Sequence, residues 1–126
     1  PFGNLQIKGL DRFDLTRGTY LLVLMDTGCL HCRDAVDALN RLVEDPDVPE
    51  VIALSSNRES QLNTFRKEFQ TRFPIGHISE EVFWRLLGDG DVPRTFLVRN
   101  RVWQEIWDTE IPDKDTIKSI NPSSGS

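Results

Sequence analysis

Six consecutive apolar residues, Tyr20-Leu21-Leu22-Val23-Leu24-Met25, stop abruptly at Asp26-Thr27-Gly28, and a helical pattern follows. A strand with no polar alternation is buried on both faces, so it belongs inside a sheet that is covered on both sides. From Arg33 the apolar positions are Ala35, Val36, Leu39, Leu42 and Val43, the three-and-four spacing of one helix face. Between strand and helix lies Cys29-Leu30-His31-Cys32. Its first cysteine falls at a helix N-terminus, where unpaired backbone N–H groups and the positive dipole end favour an anion. A thiolate is such an anion and is the nucleophilic form of cysteine. A second thiol three positions on can attack the mixed disulfide that the first one forms. Position and spacing together point to dithiol–disulfide exchange.

The chain has 126 residues, a length that suits one domain around one core. A single domain is expected over residues 1–120, with a loose polar tail at 121–126. Its formal net charge is −5, which argues against a nucleic-acid partner or an anionic lipid surface. No apolar run reaches the roughly 20 residues that a membrane-spanning helix needs. The chain starts at Pro1 rather than Met, which leaves room for an upstream signal peptide or anchor that it does not itself contain. Only two cysteines are present. A staple closing so short a loop would stabilise little, so the pair reads as chemistry rather than scaffolding.

Leu5 and Ile7, then Phe13 and Leu15, suggest a strand or hairpin over residues 4–16. The helix after the cysteines is expected to end near Glu44, because Asp45-Pro46 and Pro49 stop it. Val51–Leu54 reads as a second buried strand. Ser56 and Glu59 have capping-box spacing ahead of a helix that faces inward with Leu62, Phe65 and Phe69. Phe73-Pro74-Ile75 reads as a short extended piece. Ser79-Glu80-Glu81 opens a third helix, with Val82, Phe83, Leu86 and Leu87 inward and Gly88 as its stop. Thr95–Val98 and Val102–Trp107 form a hairpin around Arg99-Asn100-Arg101. Pro112 then reads as the first residue of a last helix running to about Ile120. This order predicts an α/β fold: a central mixed sheet with helices on both faces and an antiparallel hairpin at one edge.

These features resemble the thioredoxin superfamily, and more narrowly its TlpA/ResA-like branch of extracytoplasmic thiol–disulfide oxidoreductases. The match rests on strand–Cys29-x-x-Cys32–helix and on Asp91-Val92-Pro93-Arg94-Thr95-Phe96-Leu97-Val98, which is similar to the family's G-V-P-T-x-F-L-I segment. It rests also on the 60 residues between Cys32 and Pro93, room for an added βα unit, and on the lead-in Asp14-Leu15-Thr16-Arg17-Gly18. The resemblance implies a thioredoxin-like fold and a cis peptide bond before Pro93, facing the disulfide. It implies that the Val92 backbone pairs with an extended substrate strand, beside Gly28 and Leu30. Protein thiols or disulfides and a redox partner protein are the implied partners, for a monomer with no cofactor beyond the redox-active Cys29–Cys32 disulfide. The implied location is extracytoplasmic, in or facing a bacterial periplasm. Two positions depart from the family. Gly28 stands where an aromatic usually precedes the first cysteine, and Val23 stands where thioredoxin buries an acid. The departure at Val23 removes a general base from beside Cys32. Asp26, the nearest acid, reads as a turn residue.

The implied roles are Cys29 as the attacking sulfur, Cys32 as the buried resolving thiol and Pro93 as the residue facing them. His31, between the cysteines, can favour the Cys29 thiolate and so raise the reduction potential, as in the superfamily's oxidants and isomerases. The TlpA/ResA-like pattern points the other way, to a reductase of the cytochrome c maturation type. Metal binding is an alternative, since Cys29, His31, Cys32 and His77 could hold Cu(I). A non-catalytic thioredoxin-like interaction domain is another. A peroxiredoxin would need a threonine at position 26, which is Asp. Trp84 is expected on an exposed helix flank, Trp103 and Trp107 on one face of the last strand, and His77 in a surface loop.

Overall fold

The computed structural model describes residues 18–120. The strand or hairpin expected over residues 4–16, most of the lead-in before Gly18 and the tail at 121–126 lie outside the described residues. Five strands form one mixed sheet in the order β3-β2-β1-β4-β5. They are β1 (Thr19–Leu24), β2 (Glu50–Ser55), β3 (Ile75–His77), β4 (Arg94–Arg99) and β5 (Val102–Asp108). The helices are α1 (Leu30–Val43), α2 (Glu59–Phe69), α3 (Glu80–Leu87) and α4 (Lys114–Ser119). β1 is central, parallel to β2 and antiparallel to β4, which explains why it tolerates no polar residue from Leu21 onward.

The sheet divides the interior into two cores, because successive strand residues point to opposite faces. Leu21 and Val23 of β1 join Ala53, Ile75 and Leu97 on one face, under Cys32, Val36 and Leu39 of α1, Leu62 and Phe65 of α2 and Ile117 of α4. Leu22 and Leu24 join Ile52, Leu54, Phe96 and Val98 on the other, under Phe83 and Leu87 of α3. Helices therefore cover both faces, and β3–α3 is the added βα unit between the Cys-bearing helix and β4. Val92 packs against both cores.

Several boundaries follow the expected chemistry. The Ser79 hydroxyl accepts from the Val82 N–H at 3.1 Å, and Gly88 closes α3 at φ +53° with its N–H on the Trp84 carbonyl. Asn100 and Arg101 both take positive φ, 50° and 63°, which a two-residue hairpin with the native twist requires.

Four expectations need correction. α2 begins at Glu59 behind Arg58, whose N–H donates to Gln61 Oε1 at 3.0 Å; Ser56 lies two residues short of that cap, and the neighbouring Asn57 accepts from Thr27 in the turn after β1. α4 is capped by Asp113, whose carboxylate accepts from the Thr116 N–H at 2.7 Å, so Pro112 sits before the helix rather than inside it. His77 ends strand β3, paired with Ser55, rather than lying in a loop. Trp103 and Trp107 do not share a face. The ladder slips between Leu97 and Val98, pairing Leu97 with Glu105 but Val98 with Trp103. One extra residue, Gln104, turns a period of two over. Trp107 consequently packs on the core that holds Cys32, whereas Trp103 lies on the α3 side, 52% exposed.

Candidate active site

The turn between β1 and α1 is built by Asp26. Its carboxylate accepts from the Gly28 N–H at 2.9 Å and its carbonyl accepts from the Cys29 N–H at 3.0 Å. Asp26 is thus the turn residue its sequence position suggests, and the tight turn leaves Cys29 as the N-cap of α1, with φ −86° and ψ 126°. The Cys29 side chain makes no capping hydrogen bond to the helix. It is half-buried, and its thiol lies 4.0 Å from the Val92 carbonyl oxygen, to which it donates.

Cys32, one turn in, lies beside Cys29 but deeper, inside the core, and is 0% exposed. No disulfide joins the two sulfurs in this structure. Burial pushes the Cys32 thiol well above its ordinary value. The Asp26 N–H, donating to its sulfur at 3.4 Å, offsets part of this, while the neighbouring Cys29 and Asp26 add to it. Val23, where thioredoxin buries an acid, lies in the same apolar core as Cys32. The nearest acid, Asp26, is exposed at the surface of the turn.

The opposing wall is the segment from Gly88 to Pro93. The Val92–Pro93 peptide is cis, and Pro93 is buried. Arg94, immediately after it, donates to the Leu86 carbonyl at 3.2 Å and to the Leu87 carbonyl, and ion-pairs with Asp108 at 3.2 Å. Asp108 in turn accepts from the Asp91 N–H at 2.9 Å. A Cβ at Gly90 would crowd Asp108 Oδ1 and the Arg94 guanidinium, so a larger residue there has to push these two side-chain ends aside. The Val92 N–H, expected to be available to a substrate strand, donates to the Asp91 carboxylate at 3.0 Å.

The structure therefore brings together Cys29, Cys32, Val92 and Pro93, with Gly28 and Leu30 exposed at the rim, Leu30 by 69%. His31 is also exposed, and its imidazole has no hydrogen-bond partner among the described residues. His77 is not gathered with them: among the described residues no three His, Cys, Asp or Glu side chains converge on a possible metal position. Beside the dithiol runs a cleft of about 730 Å³ lined by Asp26, Asn57, Trp84, Asp91 and Val92. Trp84, on the expected exposed flank of α3, is one of its walls and is 64% exposed. Sequence reasoning missed Asn57, Arg94 and Asp108. Arg94 had a signal: a cation directly after a proline and ahead of a buried strand needs local partners.

No family model matches the chain, and no curated protein matches it. Solved structures do. A thioredoxin-related protein from Neisseria meningitidis serogroup B is 16% identical, with a TM-score of 0.69 over 82% of this chain and 85% of its own. A secreted Mycobacterium tuberculosis disulfide oxidoreductase, described as homologous to E. coli DsbE, is 10% identical, with a TM-score of 0.63 over 82% and 79%. StoA from Bacillus subtilis is 15% identical, with a TM-score of 0.61 over 72% and 73%. At these identities the likeness establishes the fold: the chain has the thioredoxin-like fold.

Proposed function

We propose that this protein is a thiol–disulfide oxidoreductase that exchanges disulfides with protein substrates through Cys29 and Cys32. The observation carrying this reading is the asymmetry of the two sulfurs. Cys29 is accessible at the start of α1 and faces Val92, whereas Cys32 is buried and held protonated. In the reductive direction the Cys29 thiolate attacks one sulfur of a substrate disulfide, the substrate S–S bond breaks, and one substrate thiolate leaves. Cys32 then gives up its proton and attacks Cys29 Sγ. The mixed disulfide breaks, the second substrate thiol departs, and two electrons have passed to the substrate, leaving a Cys29–Cys32 disulfide. An extended substrate pairing with the Val92 N–H displaces the Asp91 carboxylate, which is exposed and free to turn outward.

We assign the reductive direction, of the cytochrome c maturation type. It is supported by the TlpA/ResA-like segment Asp91-Val92-Pro93-Arg94-Thr95-Phe96-Leu97-Val98 and by the 60 residues between Cys32 and Pro93, room for the added βα unit. A protein redox partner would then re-reduce the disulfide, and no cofactor is needed. An extracytoplasmic, monomeric protein fits this role. The M. tuberculosis neighbour is described as secreted, and among the described residues no helix is long and apolar enough to cross a membrane.

The test is the reduction potential of the Cys29–Cys32 couple in glutathione and dithiothreitol buffers. A value near or below about −250 mV is expected, while one between about −120 and −180 mV reverses the direction in favour of an oxidant or isomerase. Cys29→Ser should abolish exchange and Cys32→Ser should trap mixed disulfides with substrates; trapping by the Cys29 variant alone reverses the roles. A couple that does not titrate reversibly with two electrons overturns the reading.

A further inference from the structure

The turn that presents Cys29 is held from outside itself. Asn57, in the loop between β2 and α2, accepts from the Thr27 N–H at 2.9 Å through Oδ1 and donates from Nδ2 to the Asp26 carboxylate at 3.4 Å. The Asn57 side chain is itself fixed to the sheet. The hydroxyl of Ser55, a buried residue at the end of β2, donates to Asn57 Oδ1 at 2.6 Å, and the Asn57 N–H donates back to that hydroxyl at 3.2 Å. One amide thus grips two of the three residues between Met25 and Cys29, and its grip is referenced to the β2 backbone rather than to the turn. Among the described residues the other side chains that tie the turn from outside both belong to α1 and move with it: Arg33 donates from Nε to the Thr27 carbonyl at 3.0 Å, and Cys32 Sγ accepts from the Asp26 N–H at 3.4 Å.

We propose that Asn57 is a positioning residue for the exchange chemistry, fixing the Cys29 sulfur at the head of α1 and holding the Asp26 carboxylate on the turn. This rests on the dithiol reading of the site. Two physical effects combine. The thiolate gains from the first-turn N–H groups only while Cys29 keeps its N-cap conformation, and that conformation begins at Thr27. Without its amide partner the Asp26 carboxylate keeps only the Gly28 N–H as a donor, so more of its charge is left to oppose a second anion in the same turn.

The readout is the pH–rate profile for alkylation of Cys29 by iodoacetamide in the Cys32→Ala background, alongside oxidised-glutathione exchange in the otherwise native dithiol. Asn57→Ala is expected to move the alkylation midpoint upward and to slow the reaction about tenfold at neutral pH. Asn57→Asp keeps an acceptor for Thr27 and Ser55 but faces Asp26 with a like charge, so it should be slower than the alanine variant. The exchanged pair Asp26→Asn/Asn57→Asp restores one donor and one acceptor between the two positions and should recover most of the rate. A purely structural role predicts lower melting temperatures with an unmoved midpoint, and that result overturns the proposal, as does failure of the exchanged pair to recover in a folded protein. If the wild-type dithiol does not exchange with glutathione, the oxidoreductase reading falls. The alkylation midpoints still decide the role of Asn57.

Discussion

Raising the pH should destabilise the reduced protein in part through one buried group, Cys32. Its folded-state thiol lies well above the ordinary value of 9.0, chiefly because burial penalises the thiolate. The unfolded chain exposes the same thiol to water and releases its proton near that ordinary value. Above it the native state binds one proton more than the unfolded state, so stability falls as pH rises, by about 1.4 kcal/mol per pH unit. Below the ordinary value both states are protonated and this contribution to stability is fully present. Between about pH 8 and about pH 10 the loss integrates to about 1.4 kcal/mol, since the folded group stays protonated across that window. Urea denaturation under a phosphine reductant measures it. Other groups also change charge in alkali, so the quantity that matters is the difference between the wild type and Cys32→Ala. That difference should grow by about 1.4 kcal/mol over the window, and it should vanish when both cysteines are joined as a disulfide. Equal losses in the wild type and Cys32→Ala would refute the claim that burial holds this proton, and with it the division of labour between the two sulfurs.

Two further expectations concern the scaffold around the site. Arg94→Met removes charge-assisted hydrogen bonds to the Leu86 and Leu87 carbonyls and should cost about 2 kcal/mol, whereas its coupling to Asp108, whose side chain is 39% exposed, should stay below about 1 kcal/mol in a double-mutant cycle. A coupling larger than the loss to the carbonyls would reverse that ranking. Ser79→Ala should lower stability by about 1 kcal/mol through the lost cap of α3, while Ser56→Ala should change it little; equal costs would place the start of α2 at Ser56 after all.

The parts of this fold that can be read from the sequence are those set by neighbours along the chain. The apolar run of β1, the helical period of α1, the Ser79 cap and the Gly88 stop are each decided within a few residues, and each lies where its pattern puts it. The thiols are legible for the same reason, since a strand, a turn and a helix start fix Cys29 outward and Cys32 inward. What could not be read is what distant residues do to one another. Asn57 reaches Thr27 across 30 positions, and Asp108 reaches Asp91 across 17, so neither bond leaves a local period or spacing. The start of α2 was misplaced because Ser55 and Asn57 spend their side chains on each other and on the β1 turn rather than on the helix. The two tryptophans of β5 were misplaced because a bulge depends on the partner strand, and alternation within a single strand carries no trace of it.

Val92 is the one side chain among the described residues that packs against both cores, and its carbonyl accepts from the Cys29 thiol at 4.0 Å. Reactivity and folding are therefore not separable traits at this position. A change of volume there is felt on both sides of the sheet at once, in addition to whatever it does to a bound polypeptide. Evolution or an engineer wishing to alter which substrates this surface accepts has little freedom at Val92. Variation should accumulate instead at Trp84 and Asp91, which line the same cleft without bridging the two cores. Among homologues sharing this layout, residue 92 should drift slowly and its neighbours across the cleft quickly, a contrast of rates written into the packing.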